Sequence, residues 1–293
     1  MNKTIKTLLI LSLSLILAGI AIFAAAFFIN GRNFADINLS TIEVYEERVD
    51  KLYRAEFDNI DNIDISVTSR NVTIRPADDG VARIETRDSE RDYLTTSFNG
   101  NTLHIKQIVN HKWYDFISVP INFGNDIVIY LPNDVYDSLS IKSTSGGVDV
   151  TGNISFGKSS FDMTSGTLNL SDGFNSDETE IESTSGTLHV CGLNGTSLYI
   201  HSTSGSKKLE NVIVSESLTV DSTSGEITLS NCDSRKINIT SISGDIRCSL
   251  LTQKQFRANA TSGKVSLPTI SDDVNGTCEI TATSGNITVT VNE

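Results

Sequence analysis

One tripeptide, Thr-Ser-Gly, recurs through the second half of the chain at a nearly constant interval. Successive glycines are 20, 20, 19, 20, 19, 19 and 22 residues apart, and Ile242 replaces the threonine once. The repeat glycines are Gly146, Gly166, Gly186, Gly205, Gly225, Gly244, Gly263 and Gly285. Self-similarity at such a period is typical of one supersecondary unit stacked on copies of itself. The repeat therefore constrains the architecture before any local pattern does.

Both flanks of each repeat glycine alternate between apolar and polar residues. Positions seven and five before the glycine, and two and four after it, are mostly Leu, Ile, Val or Phe, with polar residues between them. A period of two is typical of strands with one buried face, so each copy predicts a strand, a turn and a second strand. Glycine suits the turn because it adopts positive φ without a Cβ clash. We interpret the eight glycines as structural turns.

Two strands per copy can form either stacked hairpins or successive turns of a coil. Thr-Ser-Gly is not a two-residue hairpin turn of the Asn-Gly or Asp-Gly kind. The nearly constant repeat length favours a chain that returns to the same place in every turn. The predicted fold is therefore all-β, a parallel β-solenoid of ~20-residue Thr-Ser-Gly rungs behind one N-terminal transmembrane helix. We use "rung" for one copy of the repeat; a stacked-hairpin β fold is the alternative.

The N-terminal segment, residues 1–31, is predicted to be a transmembrane anchor. Leu8–Ile29 comprises 22 consecutive uncharged residues, which is long enough to cross a bilayer as a helix. Lys3 and Lys6 precede it, which favours a cytoplasmic N-terminus and an extracellular C-terminal domain. A cleaved signal peptide is the alternative, although its apolar region is usually shorter. We therefore expect a single-pass protein of the cell membrane.

The remaining chain divides into three segments. Residues 32–56 are a linker or capping helix, because Ser40 and Glu43 resemble a capping box and Val49 and Leu52 continue a helical spacing. Residues 57–135 predict a divergent N-terminal part of the solenoid, in which Arg70 takes the place of the repeat glycine. Residues 136–293 form the regular Thr-Ser-Gly part.

Charge and cysteine usage narrow the function classes. All 36 acidic residues follow Arg32 together with 20 of the 23 basic ones, so this part carries a formal charge of −16. Such a chain offers no basic surface for nucleic acid. Cys248 and Cys278 occupy predicted inward positions, and Cys191 and Cys232 are two rungs apart, about 10 Å, which a disulfide does not span. Four free thiols are expected.

The sequence predicts no catalytic residue, no cofactor and no metal site. It contains no nucleophile motif, phosphate-binding loop, dinucleotide fingerprint or metal-spaced Cys/His cluster. His189 and His201 fall at outward positions of neighbouring rungs but in different columns, so we expect them to be solvated. A polysaccharide-cleaving β-helix enzyme would need clustered outward carboxylates, which the repeat columns lack. We therefore expect no enzymatic activity, with such an enzyme as an alternative.

Two departures from the repeat are candidate partner contacts. Lys207 and Lys208 stand where other copies place an aliphatic and a polar residue, which indicates either a local bulge that exposes Lys207 or a small basic contact point. Trp113, Tyr114 and Phe116 concentrate the only tryptophan with two further aromatic residues. They form either a core plug or an exposed aromatic patch.

Taken together, the anchor, the Ile127–Pro132 strand and the Ser-Gly rungs resemble the bacterial putative-adhesin family of β-strand-repeat proteins. This domain-of-unknown-function family includes LiaG-like envelope proteins, and the resemblance covers Phe57 to Val291. It implies an exported β-solenoid domain linked to the cell envelope and to adhesion, with no catalytic residues to carry over.

Two non-enzymatic functions follow as hypotheses. The first is a membrane-anchored surface protein, an adhesin or envelope-binding module, that binds cell-wall polymer or an envelope protein through outward strand positions. The second is an envelope-stress signalling or assembly accessory that acts through protein–protein contact. Self-association through the C-terminal rung would suit it, because Val289–Val291 ends the sequence repeat and predicts an open strand edge.

Overall fold

Strands and turns make up the whole of the chain that the structure describes. The computed structural model describes residues 49–54, 60–110, 126–171, 173–269 and 274–292, and within these ranges it contains 22 strands and no helix. The first seven strands are β1 Val49–Arg54, β2 Asn62–Val67, β3 Val72–Pro76, β4 Arg83–Asp88, β5 Asp92–Asn99, β6 Thr102–Val109 and β7 Ile127–Leu131. The regular part comprises β8 Val135–Ser143, β9 Val148–Thr151, β10 Ser155–Met163, β11 Thr167–Ser171, β12 Asn175–Ser185, β13 Thr187–Cys191, β14 Asn194–Ser204, β15 Lys207–Glu210, β16 Ile213–Ser224, β17 Ile227–Ser243, β18 Ile246–Leu250, β19 Gln255–Ser262, β20 Val265–Ser266, β21 Thr277–Ser284 and β22 Ile287–Val291.

Each rung contributes one strand to each of two sheets. The repeat glycine lies at the corner between these two strands, and we call it the corner glycine. The strand after it joins sheet A, and the strand before it joins sheet B. In sheet B, β10 lies between β8 and β12, all parallel, and Phe161 stands opposite Ile141 and Ile181. In sheet A, β11 lies between β9 and β13, with Leu168 opposite Val148 and Leu188 in the same way. This pairing confirms the solenoid and excludes stacked hairpins, since hairpin strands would be antiparallel.

The core lies between the two sheets and is built from the columns that the alternation predicts. Strands β11, β13 and β18 alternate strictly between buried and outward residues. Ile141, Leu168 and Ile181 are completely buried, and the inner rungs repeat this arrangement one strand spacing further along, with Lys207 at one inward position. Stacking therefore converts short apolar strands into one continuous core, since no rung could bury its inward face alone. Cys248 and Cys278 occupy such inward positions, and all four cysteines are free, as predicted.

The corner glycines stack on one another more closely than any side chain would permit. A Cβ placed on Gly225, whose φ is +104°, would lie 2.1 Å from the carbonyl oxygen of Gly205 in the neighbouring rung. A Cβ on Gly205 would lie 1.7 Å from the carbonyl oxygen of Gly186. Glycine is thus required both by the left-handed backbone and by the close approach of the next rung. The close approach is the requirement that the turn chemistry alone does not predict.

The rungs do not stack in sequence order at the C-terminal end. Strand β21 lies between β17 and β19 in sheet B, and β22 lies between β18 and β20 in sheet A. The last rung in sequence is therefore inserted between the rungs of Gly244 and Gly263. The prediction that Val289–Val291 forms the end of the stack is wrong. The 22-residue interval before Gly285 is consistent with this return past one rung.

The N-terminal end shows the same inversion. Strands β2 and β3 pack against β8 and β9 of the first regular rung, while β6 and β7 lie outside them in parallel. Strands β1, β4 and β5 then complete this end in antiparallel orientation. Residues 62–131 therefore extend both sheets with a mixed strand direction.

The predicted helix before the solenoid is wrong where the structure describes it. Val49 and Leu52 belong to strand β1, which pairs antiparallel with β4. The edge of β4 offers backbone hydrogen bonds that a short amphipathic helix could not use. The rest of that predicted helix, and the predicted anchor Leu8–Ile29, lie outside the described residues. Within the described ranges, no helix has the length and apolarity that crossing a membrane requires.

A buried charge network closes the N-terminal end of the core. Arg70 occupies a corner position and its side chain is fully buried. The guanidinium donates to Asp92 Oδ1 at 2.9 Å, Asp88 Oδ1 at 2.9 Å and Thr86 Oγ1 at 2.6 Å. Tyr53 in β1 also donates to Asp88, at 3.1 Å. Because a buried ion pair is stable only when its remaining polar atoms are bonded, this network fixes the antiparallel strands against the first corner.

Replacement of a corner glycine should measure what the close stacking contributes. We expect Gly225→Ala to lower the free energy of unfolding by about 2–4 kcal/mol, because it combines backbone strain with a clash against backbone atoms. Gly192→Ala is the matched control, since φ is +74° there but no atom lies within 4 Å of the added Cβ. It should cost only about 1 kcal/mol. Equal losses in urea unfolding would contradict the stacking account.

Candidate functional site

The residues predicted as structural turns come together, whereas the predicted partner contacts do not. The eight repeat glycines lie in one row along the corner, each against the carbonyl of its neighbour. Lys207 and Lys208 are adjacent in β15 but point to opposite faces of sheet A. Trp113, Tyr114 and Phe116 lie outside the described residues.

Lys207 is a core residue and not a surface contact. Its side chain is 1% exposed and takes an inward position between Leu188 and Ile227 of the neighbouring strands. The ammonium group donates to the carbonyl oxygens of Gly205 and Ser224, at 2.9 and 2.8 Å, and to the hydroxyl of Ser222. The predicted bulge that would bring Lys207 to solvent is absent from β15, which pairs regularly with both neighbours. Burial lowers the pKa of Lys207 to about 8.

The outer face of sheet A carries an open groove that crosses several rungs. It has a volume of about 690 Å³. Its floor is formed by outward residues one and three positions after the corner glycines: Asp149, Thr167, Asn169, Thr187, His189, Ser206, Lys208, Glu226 and Thr228. These nine side chains are all polar, and both signs of charge are present. We refer to this surface as the sheet A groove.

A chain of polar contacts runs along one side of the groove. Asn169 Nδ2 donates to Asp149 Oδ2 at 3.4 Å, and Asn169 Oδ1 lies 3.1 Å from His189 Nδ1. The other oxygen of Asp149, Oδ1, is buried and has no hydrogen-bond partner among the described residues. Buried acceptors are normally satisfied by protein, water or ligand. Asp149 Oδ1 is therefore the atom of the groove that most requires a donor.

Glu210 connects His189 and Lys208 at the next rung. Its Oε2 lies 2.8 Å from His189 Nε2, and its Oε1 accepts from Lys208 Nζ at 2.9 Å. The hydrogen bonds from Lys208 and His189 hold the pKa of Glu210 below its ordinary value. The carboxylate is thus kept ionised between two nitrogen groups, and both of its oxygens are oriented.

His189, Cys191 and Glu210 bring together a nitrogen, a sulfur and a carboxylate oxygen, three types of atom that bind metals. His189 and Cys191 are two residues apart in β13, and Cys191 stands opposite Glu210 in register. One ligand atom from each of these three residues lies within 4.8 Å of the other two. This cluster was not predicted from the sequence, because His189 was compared only with His201, which lies in sheet B. Aligning the positions three and five after each corner glycine would have placed His189, Cys191 and Glu210 side by side.

Family models place this architecture among known proteins. The model of the Toastrack DUF4097 family matches residues 60–273 and 212–293, which together span most of the chain. The chain belongs to this family. Membership agrees with the adhesin-like, domain-of-unknown-function resemblance carried by the Ser-Gly rungs. Among curated proteins, none matches the sequence.

Several solved structures are similar to this Toastrack chain. A putative adhesin from Bacteroides fragilis is 17% identical, with a TM-score of 0.48 over 84% of this chain and 98% of that one. A putative lipid binding protein from Parabacteroides distasonis is 17% identical, with a TM-score of 0.49 over 81% and 96%. A putative cell adhesion protein from Clostridium sporogenes is 10% identical, with a TM-score of 0.29 over 84% and 100%. The family assignment itself rests on the family model.

The buried ammonium of Lys207 should make stability depend on pH. Its folded pKa of about 8 lies below the ordinary 10.5, so between these values the unfolded chain binds more protons and stability rises with pH. Below pH 8 the cost of burying the charge is fully present. We expect Lys207→Met to stabilise the protein by about 1–3 kcal/mol at pH 7, and this advantage to shrink towards pH 10.

The measurement is urea unfolding of both proteins at pH 7 and pH 10. Comparison of the two proteins cancels the contributions of groups that they share. A destabilised variant at pH 7, or a difference that does not change with pH, would contradict this account of Lys207.

Proposed function

We propose that this chain is a non-enzymatic, membrane-anchored binding protein of the cell envelope, of the adhesin type. Its sheet A groove engages cell-wall polymer or an envelope protein on the extracellular side. The observation that carries the proposal is the groove itself, a row of hydrogen-bonding side chains on a rigid parallel scaffold. Repeat scaffolds commonly use such extended surfaces for binding.

Two features of the groove favour an extended polar ligand. Asp149 Oδ1 is a buried acceptor without a partner among the described residues, and Lys208 is an exposed cation in an acidic chain. A ligand that supplies a donor at one rung and an anionic or hydroxyl group three rungs away would satisfy both. Wall polymers and extended protein segments have this chemistry. The uncharged Leu8–Ile29 segment supports the anchor and the envelope location.

A retention experiment tests the proposal. The full chain, purified in mild detergent, is incubated with isolated cell wall and separately with solubilised membrane proteins, and the retained fraction is weighed. We expect retention on one of these materials without release of new reducing ends from the wall. Lys208→Gln should weaken retention about tenfold, the effect of losing roughly 1.4 kcal/mol at one contact.

Lys142→Gln is the matched control for charge. Lys142 is exposed on the outer face of sheet B and lies outside the groove, so its replacement should leave retention unchanged. Equal weakening by both variants would indicate nonspecific charge attraction. Absence of retention on both materials would overturn the proposal, and newly formed reducing ends would favour an enzyme.

Self-association as an assembly or signalling accessory is a second candidate, but through a different strand from the one predicted. In the described residues, β19 has β21 on one side and no strand on the other, and β20 covers only Ile287 and Thr288 of β22. Val265 and Leu267 are about two-fifths exposed beside this edge, at 41% and 40%. An exposed edge with apolar neighbours favours pairing with a second copy.

Light scattering of the full chain in detergent tests this second candidate. We expect the protein mass to rise from monomer to dimer with concentration, and Val265→Lys to keep it monomeric because edge lysines oppose strand pairing. Val135→Lys, an exposed valine of β8 in the middle of sheet B, is the control. A monomer at all concentrations would exclude the candidate.

A further inference from the structure

We propose that His189, Cys191 and Glu210 form a zinc(II) site at the edge of the sheet A groove. The three side chains supply an imidazole nitrogen, a sulfur and a carboxylate oxygen on one outward patch of β13 and β15. These are the donor types that zinc takes in proteins. A site with three protein ligands leaves a fourth tetrahedral position open to water or to a group of a ligand.

The register of the solenoid brings these donors together at one place. His189 and Cys191 are two positions apart in β13, so they share its outward face, and Cys191 stands directly opposite Glu210. The equivalent positions of the neighbouring rungs are filled by Asn169 and Ser171 on one side and by Thr228 and Ser230 on the other. Those residues lack the imidazole, thiol and carboxylate set. The cluster is therefore a departure from the repeat that the scaffold itself does not need.

Distances are compatible with a tetrahedral ion after small side-chain rotations. Zinc–nitrogen and zinc–oxygen bonds of about 2.0–2.2 Å and a zinc–sulfur bond of about 2.3 Å put tetrahedral donor atoms roughly 3.3–3.7 Å apart. The His189 Nε2 to Glu210 Oε2 distance is 2.8 Å, and all three donor atoms lie within 4.8 Å of one another. The required donor separation lies between these two values. All three residues are partly exposed, so an ion can reach them.

Two of the three ligands already have partners that orient them. Asn169 Oδ1 lies 3.1 Å from His189 Nδ1, and Asn169 is itself turned by its contact with Asp149. Lys208 holds Glu210 Oε1, which leaves Oε2 directed at the imidazole. Outer partners of this kind fix the tautomer of a metal-binding histidine and the orientation of a carboxylate.

The hydrogen-bond pattern also determines which ring nitrogen of His189 is available to a metal ion. Asn169 Nδ2 faces Asp149, so Asn169 Oδ1 accepts from His189 Nδ1–H. With Nδ1 held in this way, Nε2 is the ring nitrogen that faces Glu210 and lies on the side of the Cys191 thiol.

Metal titration of the untagged full chain, reduced and stripped with chelator, tests the site. Calorimetry should give one Zn²⁺ per chain with a Kd of about 1 µM or lower. Cys191→Ser and His189→Gln should each weaken binding at least about tenfold. His201→Gln is the matched control, since it removes an exposed histidine of sheet B and should leave the titration unchanged.

Cobalt(II) gives a second readout that does not depend on affinity. Co²⁺ bound to Cys191 should show a sulfur-to-metal charge-transfer band in the near ultraviolet, and Cys191→Ser should abolish it while the circular dichroism of the protein stays unchanged. Absence of stoichiometric Zn²⁺ binding, or equal binding by all three variants, would overturn the proposal. The wall-retention test uses other variants, so either proposal can fail without the other.

Discussion

Contact between the corner glycines of neighbouring rungs is the constraint on which the rest of the structure depends. Along the whole row, each corner carbonyl oxygen lies 1.7–2.6 Å from the position that a Cβ on the corner glycine of the neighbouring rung would occupy. This approach brings the backbones of adjacent rungs into register at one point, and the parallel ladders of both sheets continue from it. This register also aligns the side-chain columns, because residues that lie the same number of positions from the corner stand opposite one another in adjacent rungs. The polar row on the outer face and the apolar columns in the core both follow from this register.

A stack of this kind must be closed at its ends, and the two ends are closed differently. At the N-terminal end, antiparallel strands and the buried Arg70 network complete the core, so specificity comes from charge and hydrogen bonds. At the other end the outermost rung places the small Ala258 inward, opposite Ile280 of its neighbour, where inner rungs have larger residues. A terminal rung has less core to fill, which explains the smaller side chains. This end is the less protected of the two, because the edge strand β19 is paired on one side only among the described residues.

The sequence was sufficient for the parts of the structure that depend on local periodicity. The two strands per rung, the corner glycines and the burial of Cys248 and Cys278 follow from counting residues outward from each glycine. Spatial order of the rungs could not be predicted in this way. Because all rungs carry similar apolar columns, any rung can stack on any other, and the choice depends on connections and end contacts. Arg70 shows the same limit, since its partners lie on antiparallel strands outside the repeat.

The sheet A groove was not predicted from the sequence because its side-chain contacts join residues about 20 positions apart, which is one rung. His189 and Glu210 are separated by 21 residues, and only the register shows that their side chains meet. Comparison of equivalent positions between rungs identifies residues that the fold does not require. Positions that the scaffold needs are occupied by the same residue type in most rungs, so a departure that costs stability requires another explanation. Lys207 is buried at such a cost, and on the outer face of β13 and β15 Cys191 and Glu210 stand where the flanking rungs have serine or threonine. The fold does not require a thiol or a carboxylate at this position, whereas the proposed zinc site uses both.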